Sequence, residues 1–335
     1  MRIGILKETN KGEARVILRP EEVENISVHG HSILLETTAG EGVGFSDEAY
    51  EAAGAIVKST DEVYRQSDML VKLRSPTDTE FKKIHDKILF SMLHTGQNAK
   101  RIGFIKKNGI TAIEIESIKN DFLERYVDAT DITGEVGVLY ALRFIKKIPE
   151  ETKVLILGYG RVGSAAIATC NRLNMNVKIL RKSEYKHLDH FLKGKDVLIN
   201  AICWPEEDQR RKAYLVTRKM LQHLNKGAVI LDLSVDYPNP IETCKPTTLS
   251  KPWFEVDGFP HISLYGYPGL VPLSSVNRYS KQVLPLLLEI ADNGGLSGIE
   301  KTSALGRHIK NATIESDGEE GNCVGMTNSN AELCV

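Results

Sequence analysis

The sequence has little of several features that would fix a class of protein at once. Its five cysteines, Cys170, Cys203, Cys244, Cys323 and Cys334, include no CxxC pair, which argues against a disulfide framework or a zinc site. No apolar run approaches the ~20 residues that cross a bilayer. The opening stretch also lacks the apolar segment of a secretory signal. We therefore predict a cytoplasmic protein with no metal site and no membrane partner.

An excess of charge of one sign is also missing. The chain has 43 Lys and Arg against 44 Asp and Glu, so its formal net charge is −1. A protein that binds nucleic-acid phosphates normally shows a clear basic excess, and we therefore predict no nucleic-acid partner. At 335 residues the chain is long for one core, because single domains usually run about 100–200 residues. Two domains are expected.

Short apolar runs alternate with helical segments, which is typical of βαβ units and parallel sheets. The pattern predicts an α/β fold with two Rossmann-like doubly wound parallel-sheet domains and an interdomain cleft. The predicted strands are Arg2–Leu6, Ser32–Glu36, Met69–Leu73, Ile88–Leu93, Thr111–Ile115, Val154–Leu157, Val177–Leu180, Asp196–Ile202 and Ala228–Val235. Helices are predicted at Pro20–Val28, Ser46–Ala53, Glu80–His85, Asn98–Asn108, Thr133–Lys147, Ser164–Leu173 and Ser274–Ile290. Residues 237–272 are expected to be mostly loop. Residues 296–335 are expected to be a loosely attached polar tail, within which one short helix is possible at Thr302–Ile309.

A GxGxxG motif links the strand ending at Leu157 to the helix that follows it. In such a turn the first glycine permits the sharp bend, the second lets the backbone approach a pyrophosphate, and the third lets helix pack on strand. The N-terminus of the helix then attracts the phosphates. The motif therefore predicts a dinucleotide site, whose expected contacts are Gly158, Tyr159, Gly160, Arg161, Val162 and, at the end of a later strand, Ile202.

The end of the next strand bears on which dinucleotide binds. An NAD site usually places an acidic residue there, whereas this chain has Arg181, Lys182 and Ser183. Two cations and a hydroxyl favour the 2′-phosphate of NADP. We predict NADP in preference to NAD, and Glu184, just beyond, is the feature that keeps NAD open.

Titratable residues stand at several predicted strand ends. Lys72 and His94 end two strands of the first domain, where parallel sheets bind ligands. Each alone reads more simply as a strand-end lysine or a core histidine; beside a nicotinamide cofactor they suggest substrate binding and proton transfer. Arg15 offers a guanidinium for a substrate carboxylate. Asp232 and Asp236 flank a strand end of the second domain, and one of them is a candidate to orient a substrate amine or a catalytic cation.

These features together resemble the alanine dehydrogenase and transhydrogenase superfamily, which includes saccharopine dehydrogenases and N5-(carboxyethyl)ornithine synthase. The resemblance rests on MRIGILKETNKGEARVILRP, on the Lys72 and His94 strand ends and on GYGRVG, and it covers about residues 1–292. It implies that Arg15 and Lys72 hold a keto acid, that His94 is the acid/base and that Asp236 is a catalytic aspartate. It also implies a discontinuous first domain, 1–130 plus 273–295, around an NADP-binding domain at 131–272, and a homo-oligomer.

The sequence differs from alanine dehydrogenases at two places, and these differences indicate which branch of the superfamily it resembles. Alanine dehydrogenases carry an Asp where Arg181 stands and a DQGG-like turn where this chain has Asp236-Tyr237-Pro238-Asn239. The RKS ending resembles the carboxyethylornithine synthase branch, which uses NADP, and the loop after Asp236 resembles saccharopine dehydrogenases. The implied activity is an NADP-dependent, opine-type condensation of a small keto acid with an amino acid. An alanine or saccharopine dehydrogenase-like enzyme is the alternative, and a non-catalytic transhydrogenase-like module is an alternative of another class.

Overall fold

The structure, a computed structural model, describes residues 1–316. Within this range the chain forms two compact units. The first unit contains residues 1–129 together with the segment that begins at Pro272, and the second contains residues 130–271. The interdomain cleft stays a prediction.

Both units are built from strands that alternate with helices. The strands are β1 (Arg2–Ile5), β2 (Ser32–Glu36), β3 (Ala55–Lys58), β4 (Met69–Arg74), β5 (Ile88–Met92), β6 (Thr111–Glu114), β7 (Lys153–Leu157), β8 (Asn176–Leu180), β9 (Val197–Asn200), β10 (Val229–Asp232), β11 (Phe254–Val256), β12 (Phe259–Ile262) and β13 (Thr313–Ile314). The helices are α1 (Pro20–Val28), α2 (Asp47–Ala52), α3 (Thr60–Gln66), α4 (Asp78–Phe81), α5 (Ala99–Lys107), α6 (Thr130–Ala141), α7 (Arg161–Arg172), α8 (Leu188–Leu192), α9 (Glu206–Arg211), α10 (Pro272–Asp292) and α11 (Ala304–Asn311).

The first unit is organised around a seven-stranded sheet of order β13-β6-β5-β4-β1-β2-β3. Strands β1 to β6 pair in parallel, and β13 runs antiparallel to β6. Because parallel strands all point the same way, their carboxyl ends lie along one edge of the sheet. The chain leaves β4 at Arg74 and β5 just before His94, so both residues lie at that edge.

The second unit contains a six-stranded sheet of order β11-β12-β10-β9-β7-β8, in which all neighbours except β11 and β12 pair in parallel. Alternate residues of β7 pack into two different hydrophobic cores. Val154 and Ile156 belong to one core, and Leu155 and Leu157 belong to the other. A strand covered on both faces reads as a continuous apolar run. The chain order reverses at β7, so the end of β7 is a topological switch point, where ligands of such sheets bind.

The predicted fold class is confirmed: both sheets are parallel-dominated and carry flanking helices. The sequence patterns missed β3 and α3, and α6 ends at Ala141 instead of reaching Lys147. The predicted loop 237–272 contains β11 and β12. Among residues 1–316 no helix combines the length and apolarity needed to span a membrane.

The predicted tail differs from the structure over residues 296–316. Ile299 and Ile309 are fully buried, and β13 extends the sheet of the first unit through its pairing with β6. These few apolar residues are spaced so that each one packs inward, which a composition-based interpretation overlooks. The remainder, residues 317–335, lies outside the described part of the chain.

Candidate active site

The glycine turn, Gly158 to Gly163, joins β7 to α7 at the switch point of the second unit. Gly158 has φ +87°, and a Cβ there would lie 2.7 Å from the Ala201 carbonyl oxygen. A Cβ at Gly163 would lie 2.7 Å from the Gly158 oxygen. At Gly160, by contrast, a Cβ would meet no heavy atom of residues 1–316 within 4 Å. Packing within the protein therefore explains two of the glycines, and the third fits a backbone kept bare for a ligand.

The start of α7 suits an anion. The helix is 12 residues long, and its N-cap, Gly160, provides no side chain to the first-turn N–H groups. Such N–H groups carry partial positive charge and bind phosphates. Of the predicted contacts, Tyr159 is 44% exposed, and the Ile202 side chain lies beside Gly158. The turn, the helix start and the loop after β9 are thus brought together, and they fit a dinucleotide.

The end of β8 carries the predicted phosphate ligands. Arg181, Lys182 and Ser183 are all exposed. The Glu184 carboxylate accepts the Arg181 backbone N–H at 2.9 Å and the Lys178 ammonium at 3.0 Å. The hydrogen bond from Arg181 and the charge of Lys178 lower the pKa of Glu184. The carboxylate that kept NAD open is therefore already held by groups of its own strand and turn.

Asp232 at the end of β10 is an internal anchor. It is fully buried, and its carboxylate accepts hydrogen bonds from Asn200 Nδ2 at 2.8 Å, Asn239 Nδ2 at 2.7 Å and Ser263 Oγ at 2.5 Å. Burial raises its pKa in spite of these donors. Because Asn239 also donates to the Asp236 carbonyl at 3.2 Å, Asp232 fixes the loop that carries Asp236.

Asp236 lies on this loop, partly exposed, and one of its oxygens accepts the Trp204 backbone N–H at 3.2 Å. Trp204 itself is 7% exposed, and its indole N–H has no hydrogen-bond partner among residues 1–316. The structure therefore places Asp236 beside the loop after β9. The glycine turn lies beside the same loop, through Gly158.

Lys72 of β4 lies in the first unit with its side chain completely enclosed. Its ammonium donates to the Lys7 carbonyl at 2.8 Å and to Glu80 Oε1 at 2.9 Å, and it lies 3.6 Å from Glu8 Oε2. Burial raises the pKa of Glu8, and the charge of Lys72 opposes that rise. An enclosed ammonium needs such partners, since an unpaired buried charge is very costly.

Glu80 is positioned by a local sequence signal. Thr77 and Glu80 form a capping box at the start of α4, in which Glu80 Oε2 accepts the Thr77 backbone N–H at 2.7 Å. The other oxygen, Oε1, is thereby left for Lys72. A short helix after β4 therefore supplies the counter-charge for a lysine inside β4.

Arg15 is also paired within the protein. Its Nε and Nη2 donate to the two oxygens of Glu13 at 2.7 and 2.6 Å, and both side chains are almost fully buried. Burial alone would raise the pKa of Glu13, but the hydrogen bonds and charge of Arg15 lower it. The guanidinium carbon lies 5.9 Å from the ring centre of Tyr279, on α10. The returning helix thus contributes one wall of this region.

His94 follows β5 in a left-handed conformation, with φ +47°, which is uncommon for a residue with a side chain and often marks function. The loop is held by carboxylates: Glu116 accepts the backbone N–H groups of Leu93 and His94, and Glu114 accepts that of Thr95. The imidazole Nδ1 lies 3.4 Å from Glu116 Oε1. Two acidic residues from β6 and the turn after it therefore set the position of the ring.

The pair formed by His94 and Glu116 is biased toward its neutral forms. Burial, with the charges of Arg74, Arg101 and Arg125, lowers the pKa of His94 to about 4. Burial, with the charge of Glu114, raises the pKa of Glu116 to about 7. Strongly shifted titratable groups at a strand end are typical of functional sites.

We call the residues at this edge of the first unit the charged edge: Glu8, Glu13, Arg15, Lys72, Arg74, Glu80, His94 and Glu116. The sequence patterns singled out only its Arg15, Lys72 and His94. The capping box was a readable signal for Glu80, whereas Glu13 and Glu116 become partners only through folding. In the described residues no cluster of three or more His, Cys, Asp or Glu side chains has the arrangement of a metal site.

Comparisons with known proteins agree with this architecture. The family model "Alanine dehydrogenase/PNT, N-terminal domain" matches residues 4–131, and "Alanine dehydrogenase/PNT, C-terminal domain" matches residues 180–319. Alanine dehydrogenase 1 of Staphylococcus aureus is 29% identical over 348 residues, which cover 91% of each chain.

Solved structures show the same likeness. An L-alanine dehydrogenase superimposes with a TM-score of 0.82 at 25% identity, over 94% of this chain and 96% of the other. A transhydrogenase from Sinorhizobium meliloti gives a TM-score of 0.74 at 22% identity, over 86% and 93% of the two chains. The second likeness supports the fold alone.

Proposed function

Because the chain belongs to the alanine dehydrogenase/PNT family and is an alanine dehydrogenase-like oxidoreductase, we propose that it acts on CH–NH bonds with NADP. In the reaction proposed, a small 2-keto acid and an amino acid condense, and the product is reduced to a secondary amine. This proposal is supported by the groups that each unit presents at its strand ends. One carries an imidazole among paired charges at a strand edge, and the other a glycine turn with a bare Gly160.

The glycine turn and the start of α7 would hold the pyrophosphate, and Ile202 would lie beside it. Arg181, Lys182 and Ser183 would bind the 2′-phosphate, since the nearby Glu184 is already engaged by Lys178. When bound, the nicotinamide supplies or accepts the hydride. The protein has to position the carbon that receives it and manage the protons.

His94 would be the acid/base. As the amine adds to the keto carbon and water leaves, one proton must pass to the departing oxygen, and the imidazole suits that transfer. Its low pKa keeps the ring neutral in the free protein, and once the ring has taken a proton from the incoming ammonium, the imidazolium is acidic enough to pass that proton to the leaving hydroxyl. Glu116, 3.4 Å away, would hold the ring in position.

Lys72 and Arg15 would provide positive charge toward the keto acid, and Asp236 would orient the amine. Each of the two cations is paired with a carboxylate, Glu80 and Glu13 respectively. The two ion pairs would therefore act as fixed, oriented dipoles. Such dipoles stabilise charge that develops on the keto acid without having to reorganise during the reaction.

A second candidate is an alanine dehydrogenase, in which ammonia replaces the amino acid as the amine donor. The names of the curated relatives favour it, whereas the cations after β8 favour the opine-type branch. The two activities differ only in the amine that attacks the keto carbon.

The proposal is tested by NADPH oxidation with purified protein, pyruvate and a panel of ornithine, lysine and ammonia, with the product identified by mass spectrometry. A secondary amine dicarboxylate from an amino acid supports the opine-type reaction, and alanine from ammonia supports the second candidate. Binding of NADPH without oxidation under any combination would instead indicate a transhydrogenase-like binding module.

A further inference from the structure

Residues 118–126 form a small hairpin directly after the turn that positions His94. The backbone N–H of its last residue donates to the carbonyl of its first at 3.1 Å, and Lys119 pairs with Arg125 in an antiparallel bridge. Glu116, whose carboxylate accepts the His94 N–H, lies two residues before the hairpin. We call residues 118–126 the cationic hairpin. It continues from the same short segment that holds the imidazole.

The two cations of this hairpin lie opposite each other. Side chains paired across an antiparallel bridge share one face, and like charges in such a pair are destabilising. Burial of the lysine, with the charge of Arg125, lowers the pKa of Lys119. Burial, with the charges of Arg74, Arg101 and again Arg125, lowers the pKa of His94. The electrostatic surroundings of the imidazole therefore depend on where the hairpin holds Arg125.

The outer part of the hairpin has little apolar support. Ile118 is fully buried at its base, whereas Phe122 and Leu123 at its tip are 82% and 46% exposed. Asn120 Oδ1 accepts the N–H groups of Phe122 and Glu124 at 3.0 and 2.9 Å, which shapes the turn from within. Because a two-stranded hairpin is only marginally stable by itself, other contacts have to fix the position of the tip.

Helix α11 supplies these contacts through His308. This side chain is buried, its Nδ1 lies 3.0 Å from the Tyr126 hydroxyl, and its Nε2 lies 3.0 Å from Asp121 Oδ1. The hydrogen bond from His308 lowers the pKa of Asp121. Because a carboxylate can only accept, Nε2 carries a proton, and Nδ1 is left to accept the Tyr126 O–H. One imidazole thus joins the tip of the hairpin to its last residue.

A second link between α11 and the hairpin is weaker. Arg307 Nη2 donates to both oxygens of Asp121 at 3.0 and 3.1 Å, but the two side chains are 50% and 67% exposed. Exposed ion pairs of this kind contribute little. Successive side chains of a strand point to opposite faces, so Tyr126 faces α11 while Arg125 lies on the other face. The contact with His308 therefore fixes a residue adjacent to Arg125.

We infer that His308 is a positioning residue, which through Tyr126 and Asp121 holds the cationic hairpin so that the charge of Arg125 stays within reach of His94. Helix α11, which belongs to the segment predicted to be a loose tail, would thereby tune the imidazole without contacting substrate. The inference goes beyond the proposed function, and it rests on that function only in taking His94 to be the acid/base.

The test follows the His94 pKa by histidine NMR titration of the full-length protein, which needs no substrate. His308→Phe keeps a ring but removes both hydrogen bonds, and it should raise the His94 pKa because a positive charge moves away. Arg125→Met should raise it as well, and the double variant should raise it no further than Arg125→Met alone. His85→Phe, which replaces an exposed histidine of the same unit, is the matched control and should leave it unchanged.

Circular dichroism establishes that each variant folds. If His308→Phe does not fold, Tyr126→Phe removes a single hydroxyl and should raise the His94 pKa by less than Arg125→Met does. The inference is overturned if the folded variants keep the His94 pKa of the unmodified protein, or if the effects of His308→Phe and Arg125→Met add in full. The predicted pKa changes in a protein that turns over no keto acid would refute the proposed function alone. Turnover with an unchanged His94 pKa would refute this inference alone.

Discussion

The candidate sites at the strand ends of the two units are built in opposite ways. At the glycine turn of the second unit, the proposed function depends on side chains that are missing: a bare Gly160 and helix N–H groups without a capping side chain. At the charged edge of the first unit, it depends on buried side chains that neutralise one another, such as Lys72 with Glu80 and Arg15 with Glu13. A backbone site can be built almost without electrostatic cost, whereas a charged site requires a partner for every ion.

The difference has a consequence for mutations. Loss of a side chain at the charged edge leaves a buried charge without its partner, so stability and activity fall together. Addition of a side chain at the glycine turn disturbs whatever space it enters, which is protein at Gly163 and open space at Gly160.

The largest effect is expected at the imidazole. His94→Gln removes the proposed proton carrier while it keeps a side chain of polar character, so kcat should fall about 10²- to 10⁴-fold. NADPH affinity, which depends on the other unit, should not change. Steady-state kinetics and fluorescence titration measure the two quantities. An undiminished kcat would remove His94 from the chemistry.

Lys72→Met should be the most destabilising substitution at the charged edge, because it leaves Glu80 and Glu8 buried without their cation. The free energy of unfolding should fall by about 3–5 kcal/mol in urea titrations. Lys100→Met, which breaks the exposed pair with Asp78, is the control and should cost under about 1 kcal/mol. Equal losses would mean that the buried pair has no special role.

The pair of His94 and Glu116 predicts a pH effect on stability. Below pH 6.5 the unfolded chain protonates His94 more readily than the folded protein, so this group makes stability rise as pH increases from about 4 to 6.5. Glu116, with its pKa raised from 4.5 to about 7, makes stability fall as pH increases over that span. In the unmodified protein the two trends oppose each other.

Glu116→Gln removes only the second trend. The variant should therefore gain stability as pH rises from about 4 to 6.5, by about 3 kcal/mol at most. Urea unfolding at several pH values measures this slope, and Glu124→Gln, an exposed change, is the control. Parallel curves for Glu116→Gln and the unmodified protein would show that the pKa of Glu116 is not raised as described.

Cofactor choice should depend on the exposed cations after β8. Arg181→Asp places a carboxylate at the expected 2′-phosphate and should weaken NADPH binding about 100-fold, since a charge-assisted pair is replaced by repulsion. NADH binding should change little. Lys193→Asp makes the same charge reversal at an exposed position of the same unit. An equal loss for both cofactors would contradict a phosphate-binding role.

The smallest and most specific effect is expected within the glycine turn. Gly163→Ala puts a Cβ 2.7 Å from the Gly158 oxygen and should cost about 1–3 kcal/mol of stability. Gly160→Ala enters open space and should cost about 1 kcal/mol or less, yet weaken NADPH binding. Thermal unfolding with and without NADPH separates the two. If Gly160→Ala left NADPH affinity unchanged, the bare backbone would have no ligand.

Local patterns predicted the strands well, because buried parallel strands are continuous apolar runs that need no partner to be recognised. The glycine turn was predicted for the same reason, since strand, turn and helix are adjacent in sequence. The amphipathic edge strand β3 and the short strands β11 and β12 gave weaker patterns, and the packing that stabilises them is not local.

The charged edge was predicted only in part. Strand ends pointed to Lys72 and His94, but their partners Glu80 and Glu116 are identified by contacts that only the fold creates. The sequence therefore identified which types of residue stand at the charged edge, but it did not identify the residues with which they pair.

The most direct measurement of the proposed chemistry is deuterium transfer. The protein would be incubated with NADPH deuterated at the transferable position, pyruvate and an amino-acid amine, and the product analysed by mass spectrometry. We expect one deuterium at the carbon that was the keto carbon of pyruvate, in a product that contains both carbon skeletons. Consumption of the reduced cofactor with no deuterium at that carbon, or no consumption with any amine, would contradict it.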